Sequence, residues 1–228
     1  MRSPQTLRLD ETSASTLPFA QTGTAPGPVE RAFSVDGIPG VLWSPALAMG
    51  PAPLVLMGHA GGRHTRSPGL GARAAEFVRT FGFHAAVIDA AEDPGRAVPE
   101  WQAATEALLA LPAIDADRPV GYAGTAGATE IGLRLAAADA RIGVAALWSA
   151  PASDALVAVA RRVRIPVQFL LPWDDPEIDR ESAIALFGAL GSEVTSLHVF
   201  PGSGETVPAS ETEDAAWFVA RRLLAPTI

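Results

Sequence analysis

The residues Gly121-Tyr-Ala-Gly-Thr-Ala-Gly-Ala128 stand between a strand-like run, Arg118 to Ala123, and a helix-like run that begins at Thr129. A strand–turn–helix junction built of small residues is the setting of the G-x-S-x-G motif. There a sharp turn pushes a serine hydroxyl out over the end of a sheet as a nucleophile. With Gly124 as the first glycine of that motif, Ala126 occupies the serine position and Ala128 that of the second glycine. A methyl group cannot attack a carbonyl, so the position that would carry covalent chemistry is silent. Read one residue earlier, the turn offers Thr125, but a β-branched side chain fits a strained turn poorly. Thr125 and Ala126 are therefore expected to form a non-nucleophilic pocket floor. The backbone amide of Gly127 would still face a carbonyl oxygen there.

Other candidates follow from residue type and place. His59 ends an apolar run and precedes Ala60-Gly61-Gly62. It is read either as a structural histidine bonded to loop carbonyls or as a polar pocket wall and acid/base, since imidazole titrates near neutrality. Asp174 and Asp175 are adjacent, so in extended chain they point opposite ways, one toward a pocket and one toward a turn or helix cap. Trp148 and Trp173 fall at the ends of neighbouring strand-like runs, with Trp101 on a helix beside them. They suggest an aromatic wall for an apolar or conjugated ligand. Ser149 adds one hydroxyl. The four histidines are scattered without H-x-x-x-H or carboxylate spacing, which predicts no metal site. No cofactor motif is visible.

Composition narrows the classes. The 228 residues suit one domain, and 48% hydrophobic content supplies a large core. A net charge of −8 without a basic cluster argues against nucleic-acid binding. There is no cysteine and no lysine, so neither a thiolate nor a lysine Schiff base is available. No apolar run approaches the roughly 20 residues of a membrane span. Residues 1–28 lack the basic and apolar regions of a signal peptide. They are read as an extended leader, residues 29–228 as a single domain, and the protein as cytoplasmic, with no membrane partner. A homodimer is compatible with this composition.

The elements that must position these residues alternate. Val29 to Phe33 and Gly40 to Trp43 predict a strand pair around Asp36-Gly37. Strands are predicted over Ala52–Gly58, Phe83–Asp89, Val120–Ala123, Ile142–Trp148, Val167–Leu171 and Ser196–Phe200. Helices are predicted over Gly69–Phe81, Glu100–Leu111, from Thr129, and over Asp154–Val163, Arg180–Leu190 and Glu211–Leu224. This alternation predicts an α/β fold, a mostly parallel central sheet with helices on both faces and a site beyond the carboxyl ends of the strands.

From Val29 onward the chain resembles the α/β-hydrolase superfamily, and within it the small dienelactone-hydrolase-like proteins. The resemblance rests on Leu54-Val-Leu-Met-Gly-His-Ala-Gly-Gly62, Ala86-Val-Ile-Asp89, Asp139-Ala-Arg-Ile142, Phe169-Leu-Leu-Pro-Trp-Asp-Asp-Pro-Glu-Ile178 and Leu197-His-Val-Phe-Pro-Gly-Ser-Gly-Glu-Thr-Val-Pro208. It implies an α/β-hydrolase fold with a reduced or absent lid, because the link from Ala90 to Trp101 is short. It implies an oxyanion hole from the amides of the Ala60–Gly61 loop and Gly127, with Asp175 as triad acid. The base column falls on Gly204, with Glu205 just after it as a replacement proton acceptor. The nucleophile and base are thus both replaced, while the scaffold sequence is kept.

Three functions are compatible with that pattern. The first is a non-hydrolytic enzyme that cyclises, eliminates or isomerises a small apolar carbonyl, lactone or polyketide-like compound in specialised metabolism. It would use the backbone oxyanion hole with Asp175, His59 and Glu205 as acid/base groups. The second is a ligand-binding or scaffolding pseudoenzyme. The third is a serine hydrolase captured as an inactive variant.

Overall fold

The computed structural model describes residues 7–9, 27–47, 49–59, 68–125, 127–203 and 207–225. Its centre is a nine-stranded sheet in the order β1-β2-β3-β5-β4-β6-β7-β8-β9. The first three strands are β1 (Leu7–Leu9), β2 (Val29–Val35) and β3 (Ile38–Ser44), and they run antiparallel, with β3 antiparallel to β5 (His84–Ile88). From β5 the sheet continues in parallel through β4 (Leu54–Gly58), β6 (Val120–Gly124), β7 (Ile142–Trp148), β8 (Val167–Pro172) and β9 (Thr195–Phe200). The helices are α1 (Pro68–Phe81), α2 (Pro94–Leu109), α3 (Ala128–Ala138), α4 (Asp154–Ala160), α5 (Arg180–Gly188) and α6 (Ala209–Leu223).

Local chemistry accounts for the element ends. Asp36 and Gly37 have φ of 53° and 84°. They form the two-residue turn between β2 and β3 that an Asp-Gly pair favours. Strand β1 lies within the stretch read as an extended leader and adds an edge strand to β2. Helix α2 starts six residues before the predicted Glu100. Asp93 caps it by accepting the Arg96 N–H at 3.0 Å, as short acidic side chains do at helix starts. Pro94 occupies a first-turn position where its missing N–H costs nothing. Pro99 leaves one helical bond unmade near that end, a loss outweighed by burial of Trp101, Ala104 and Leu108.

Side-chain alternation divides the core in two. Leu54, Leu56, Val120 and Tyr122 face α2–α5, whereas Val55, Met57, Ala123 and Ala146 face α1 and α6. Strands buried on both faces read as continuous apolar runs, which is why β4 and β8 were visible in the sequence. Asp139 and Arg141 of the D-x-R-I stretch join three elements. Arg141 Nη2 donates to Asp139 Oδ2 at 2.6 Å and to the Gln102 carbonyl of α2 at 3.1 Å, just before β7 begins. Among the described residues no helix is long and apolar enough to cross a membrane.

Candidate functional site

The site is organised by the turn after β6. Gly58 pairs with Gly124 at the carboxyl ends of β4 and β6. Thr125 N–H then donates to the Gly58 carbonyl at 3.2 Å, and Ala128 N–H to the Thr125 carbonyl at 2.9 Å. Tyr122, fully buried, lies directly beneath and donates its hydroxyl to the Ala128 carbonyl at 2.9 Å. Its ring fills a slot made by three glycines. A Cβ at Gly58 would lie 2.7 Å from Tyr122 Cζ, one at Gly124 2.6 Å from Cε1, and one at Gly132 2.8 Å from Cδ1. Thr129 Oγ1 donates to the Trp148 carbonyl at 2.6 Å and fastens the start of α3 to the end of β7.

Above this turn is a cleft of about 270 Å³. Gly58 and His59 line it at the end of β4, Ala90, Ala91 and Glu92 after β5, Trp101 on α2, and Gly127, Ala128 and Ile131 at the start of α3. It lies where β4 is flanked by β5 on one side and β6 on the other, with α1 and α2 on opposite faces. That is the switch point at which open α/β sheets place their ligands. Gly127 caps α3 and lines the cleft, so the positive end of the helix dipole is directed at it. The link from β5 to α2 is only residues 89–93, which leaves the cleft without a lid from that segment.

The structure brings some of the expected residues together and separates others. His59, Gly127 and Trp101 line the cleft, and Thr125 is half-buried at the end of β6 beside it. Ala60, Gly61, Ala126, Gly204 and Glu205 lie outside the described residues. Asp175 and Trp173 do not line the cleft; Asp175 Oδ1 accepts the Glu177 N–H at 2.9 Å in an Asx turn. The two tryptophans expected as an aromatic wall each carry a guanidinium on their face, an arrangement that the ring quadrupole favours. Arg73 of α1 sits 5.5 Å from the Trp148 ring centre, and Arg180 sits 4.7 Å from that of Trp173, which is 43% exposed. Ser149 is buried, and its hydroxyl has no hydrogen-bond partner among the described residues.

Two residues enter that the sequence did not single out. Glu92, an exposed acidic residue, lines the cleft together with His59, and each has further interactions of its own. The only signal for it was its place in the loop after β5, which in this topology opens onto the same crevice. Arg73 lies half-buried on the opposite face, against Ala123 and Ala146. Burial brings its guanidinium down to about 10, with the Tyr122 phenol pulling the other way, so it stays charged at neutral pH. Burial also pushes the Tyr122 phenol up, and Arg73 opposes that shift, so Tyr122 acts as a neutral hydrogen-bond donor.

Comparison with known proteins agrees with this geometry. A cold-adapted esterase from an Arctic intertidal metagenomic library, in a PEG-bound complex, is 31% identical with a TM-score of 0.77. The match covers 90% of this chain and 98% of that one. Its native structure is 32% identical over 88% of this chain and 96% of that one, with a TM-score of 0.72. Acetyl xylan esterase 1 from Thermoanaerobacterium sp. JW/SL YS485 shares the fold at 15% identity, with a TM-score of 0.73 over 96% of this chain and 88% of that one. No family model matches the chain, and no curated protein does. With this fold and these relatives, the chain belongs to the α/β-hydrolase superfamily, in the family of the cold-adapted esterase.

Proposed function

We propose that this protein is a dienelactone-hydrolase-like member of the superfamily that takes a small carbonyl compound into the cleft and converts it without hydrolysis. One observation carries the reading. A cleft of about 270 Å³ persists at the switch point with His59 and Glu92 in its wall, while the nucleophile and base columns hold Ala126 and Gly204. A collapsed cleft would have spoken for scaffolding alone. The volume suits a compact lactone or polyketide-like ligand. Trp101, Ile88 and Ile131 provide apolar walls, and in this reading the start of α3 faces the carbonyl oxygen of the ligand. Enolisation, elimination and cyclisation need a proton acceptor, a proton donor and a place for developing negative charge, but no acyl-enzyme. In this reading His59 and Glu92 exchange protons with the ligand, and the Gly127 amide faces the oxygen on which charge builds.

A second reading has its own support. Asp175, the acid of the superfamily pattern, sits in an Asx turn away from the cleft lining, which suits a ligand-binding protein that has given up catalysis. Hydrolysis of the kind named for the esterase relatives would need a nucleophile other than position 126.

The test is mass spectrometry of lactones, β-keto esters and small-molecule extracts of the source organism, incubated with and without pure protein and with His59→Gln and Glu92→Gln variants. A change of retention at constant mass identifies a cyclase or isomerase, and loss of a small neutral molecule a lyase, provided both variants are impaired. Gain of one water refutes the proposal in favour of a hydrolase. Retention of a compound without conversion refutes it in favour of a binding protein.

A further inference from the structure

At the far edge of the sheet, β9 and the first turns of α6 bring together three side chains that lie 13 and 3 residues apart in sequence. His198 Nδ1 is 3.0 Å from Glu211 Oε2. Asp214 follows Glu211 by one helical turn on the same face of α6. One ligand atom from each of His198, Glu211 and Asp214 lies within 4.8 Å of the other two. We propose that these three residues form a binding site for a divalent transition-metal ion of the zinc class.

The donor set fixes the class of ion. An imidazole nitrogen with two carboxylates suits zinc and its neighbours, whereas calcium and magnesium take oxygen ligands. Bonds of about 2.0–2.2 Å to a tetrahedral ion place neighbouring donor atoms roughly 3.3 Å apart. The His198–Glu211 pair already approaches that spacing, and a rotation of the exposed Asp214 side chain, within 4.8 Å, would close the rest. Both other ligands are half-buried on rigid elements. His198 is on a strand in register with Leu170 of β8, and Glu211 is in the first turn of a 15-residue helix. Little rotamer freedom is therefore lost on binding. The two carboxylates neutralise the dication. The helix dipole opposes a cation at this end of α6, a cost that the charges of the two carboxylates offset. A fourth position remains for water.

The placement gives the site a structural consequence. His198 and Glu211 bracket the segment that carries positions 204 and 205, where the superfamily pattern has its base. An ion held between them would clamp both ends of that segment.

The experiment is calorimetric titration of Zn2+ into the chelator-treated full-length protein, with Co2+ absorption as a second readout. It is repeated on His198→Gln, Asp214→Asn and a His59→Gln/His64→Gln double variant. The expected result is one equivalent bound, at least tenfold weaker in His198→Gln, several-fold weaker in Asp214→Asn and unchanged in the double variant. At a hundredfold excess over Kd the bound ion should raise Tm by about 5–10 °C, and this rise should vanish in His198→Gln. Metal-free melting of each variant shows whether it is folded. Absence of binding, affinity unaltered in His198→Gln, or affinity lost in the His59→Gln/His64→Gln variant would each overturn the proposal.

Discussion

Gly132 lies in the middle of α3, where exchange of glycine for alanine ordinarily stabilises a helix by about 1 kcal/mol. Here the sign should reverse. An added Cβ would overlap Tyr122 Cε1, 2.8 Å from Cδ1 and 2.9 Å from Leu147 Cδ2. Tyr122 has nowhere to move. Its hydroxyl is bonded to the Ala128 carbonyl, Trp101 meets its ring edge-on at 6.2 Å, and Gly58 and Gly124 press on it from two other sides. Overpacking of this kind costs about 3 kcal/mol at the upper end of its usual range. After the helix-propensity gain, Gly132→Ala should lose about 2 kcal/mol, equivalent to about 4–8 °C in Tm for a domain of this size. Urea unfolding followed by tryptophan fluorescence measures it. The same substitution in a Tyr122→Leu background, where Cε1 is gone, should recover the helix gain, giving a coupling energy of about 3 kcal/mol between the two positions. A higher urea midpoint for Gly132→Ala in the native background would refute the claim that three glycines form a rigid slot for Tyr122.

Other perturbations test separate parts of the molecule. On the proposed function, which puts Gly204 in the base column, Ala126→Ser alone should give no turnover of p-nitrophenyl acetate; measurable acylation by mass spectrometry would show that some other base serves it. His84 is buried, with Nε2 donating to the Ala113 carbonyl at 2.8 Å and Nδ1 3.0 Å from the Ser44 hydroxyl. Burial lowers its pKa, the Ala113 bond opposes that, and Arg31 adds to the lowering. The unfolded chain therefore takes up a proton first as pH falls below about 6.5, and stability should decline on acidification from there. His84→Gln should flatten that slope in urea midpoints between pH 7.5 and 5, and an unchanged slope would exclude His84 as its source. Burial alone would raise the Asp139 carboxyl, but the Arg141 side-chain and backbone bonds outweigh it and hold it below the usual carboxylate range. Asp139→Asn should lose about 1.5 kcal/mol at neutral pH. That contribution is present above the ordinary carboxylate pKa and is lost as pH falls through the lowered one, so the gap to the native protein should close only in strong acid.

Much of the architecture was legible because doubly buried strands are written as apolar runs and Asp-Gly as a turn. The start of α2 was not legible, since Pro94 and Pro99 read as breaks unless the cap at Asp93 is given weight. The start of this turn was visible because Gly124, like Gly58 beside it, is kept small by close packing on Tyr122. The composition of the cleft was not. Glu92 reaches it only through the crossing of β5 past β4, which no local pattern records. The tryptophans were placed correctly at the ends of β7 and β8, but the guanidiniums on them were invisible, since Arg73 is remote from Trp148 in sequence and Arg180 meets Trp173 only through the fold of the loop between β8 and α5. His198 reads as a packed or exposed residue of the last strand, and its grouping with Glu211 and Asp214 was not legible for the same reason. Their meeting depends on how α6 returns along β9 and not on any spacing within one element.

The turn at the end of β6 is held by bonds from Thr125 to Gly58, from Ala128 to Thr125 and from Tyr122 to Ala128, and none of them passes through the side chain at position 126. An exchange of the residue at position 126 should therefore leave these three bonds in place. Reactivity in such a protein is an ornament on a self-sufficient frame, and new chemistry can be tried in the cleft while the frame stays intact.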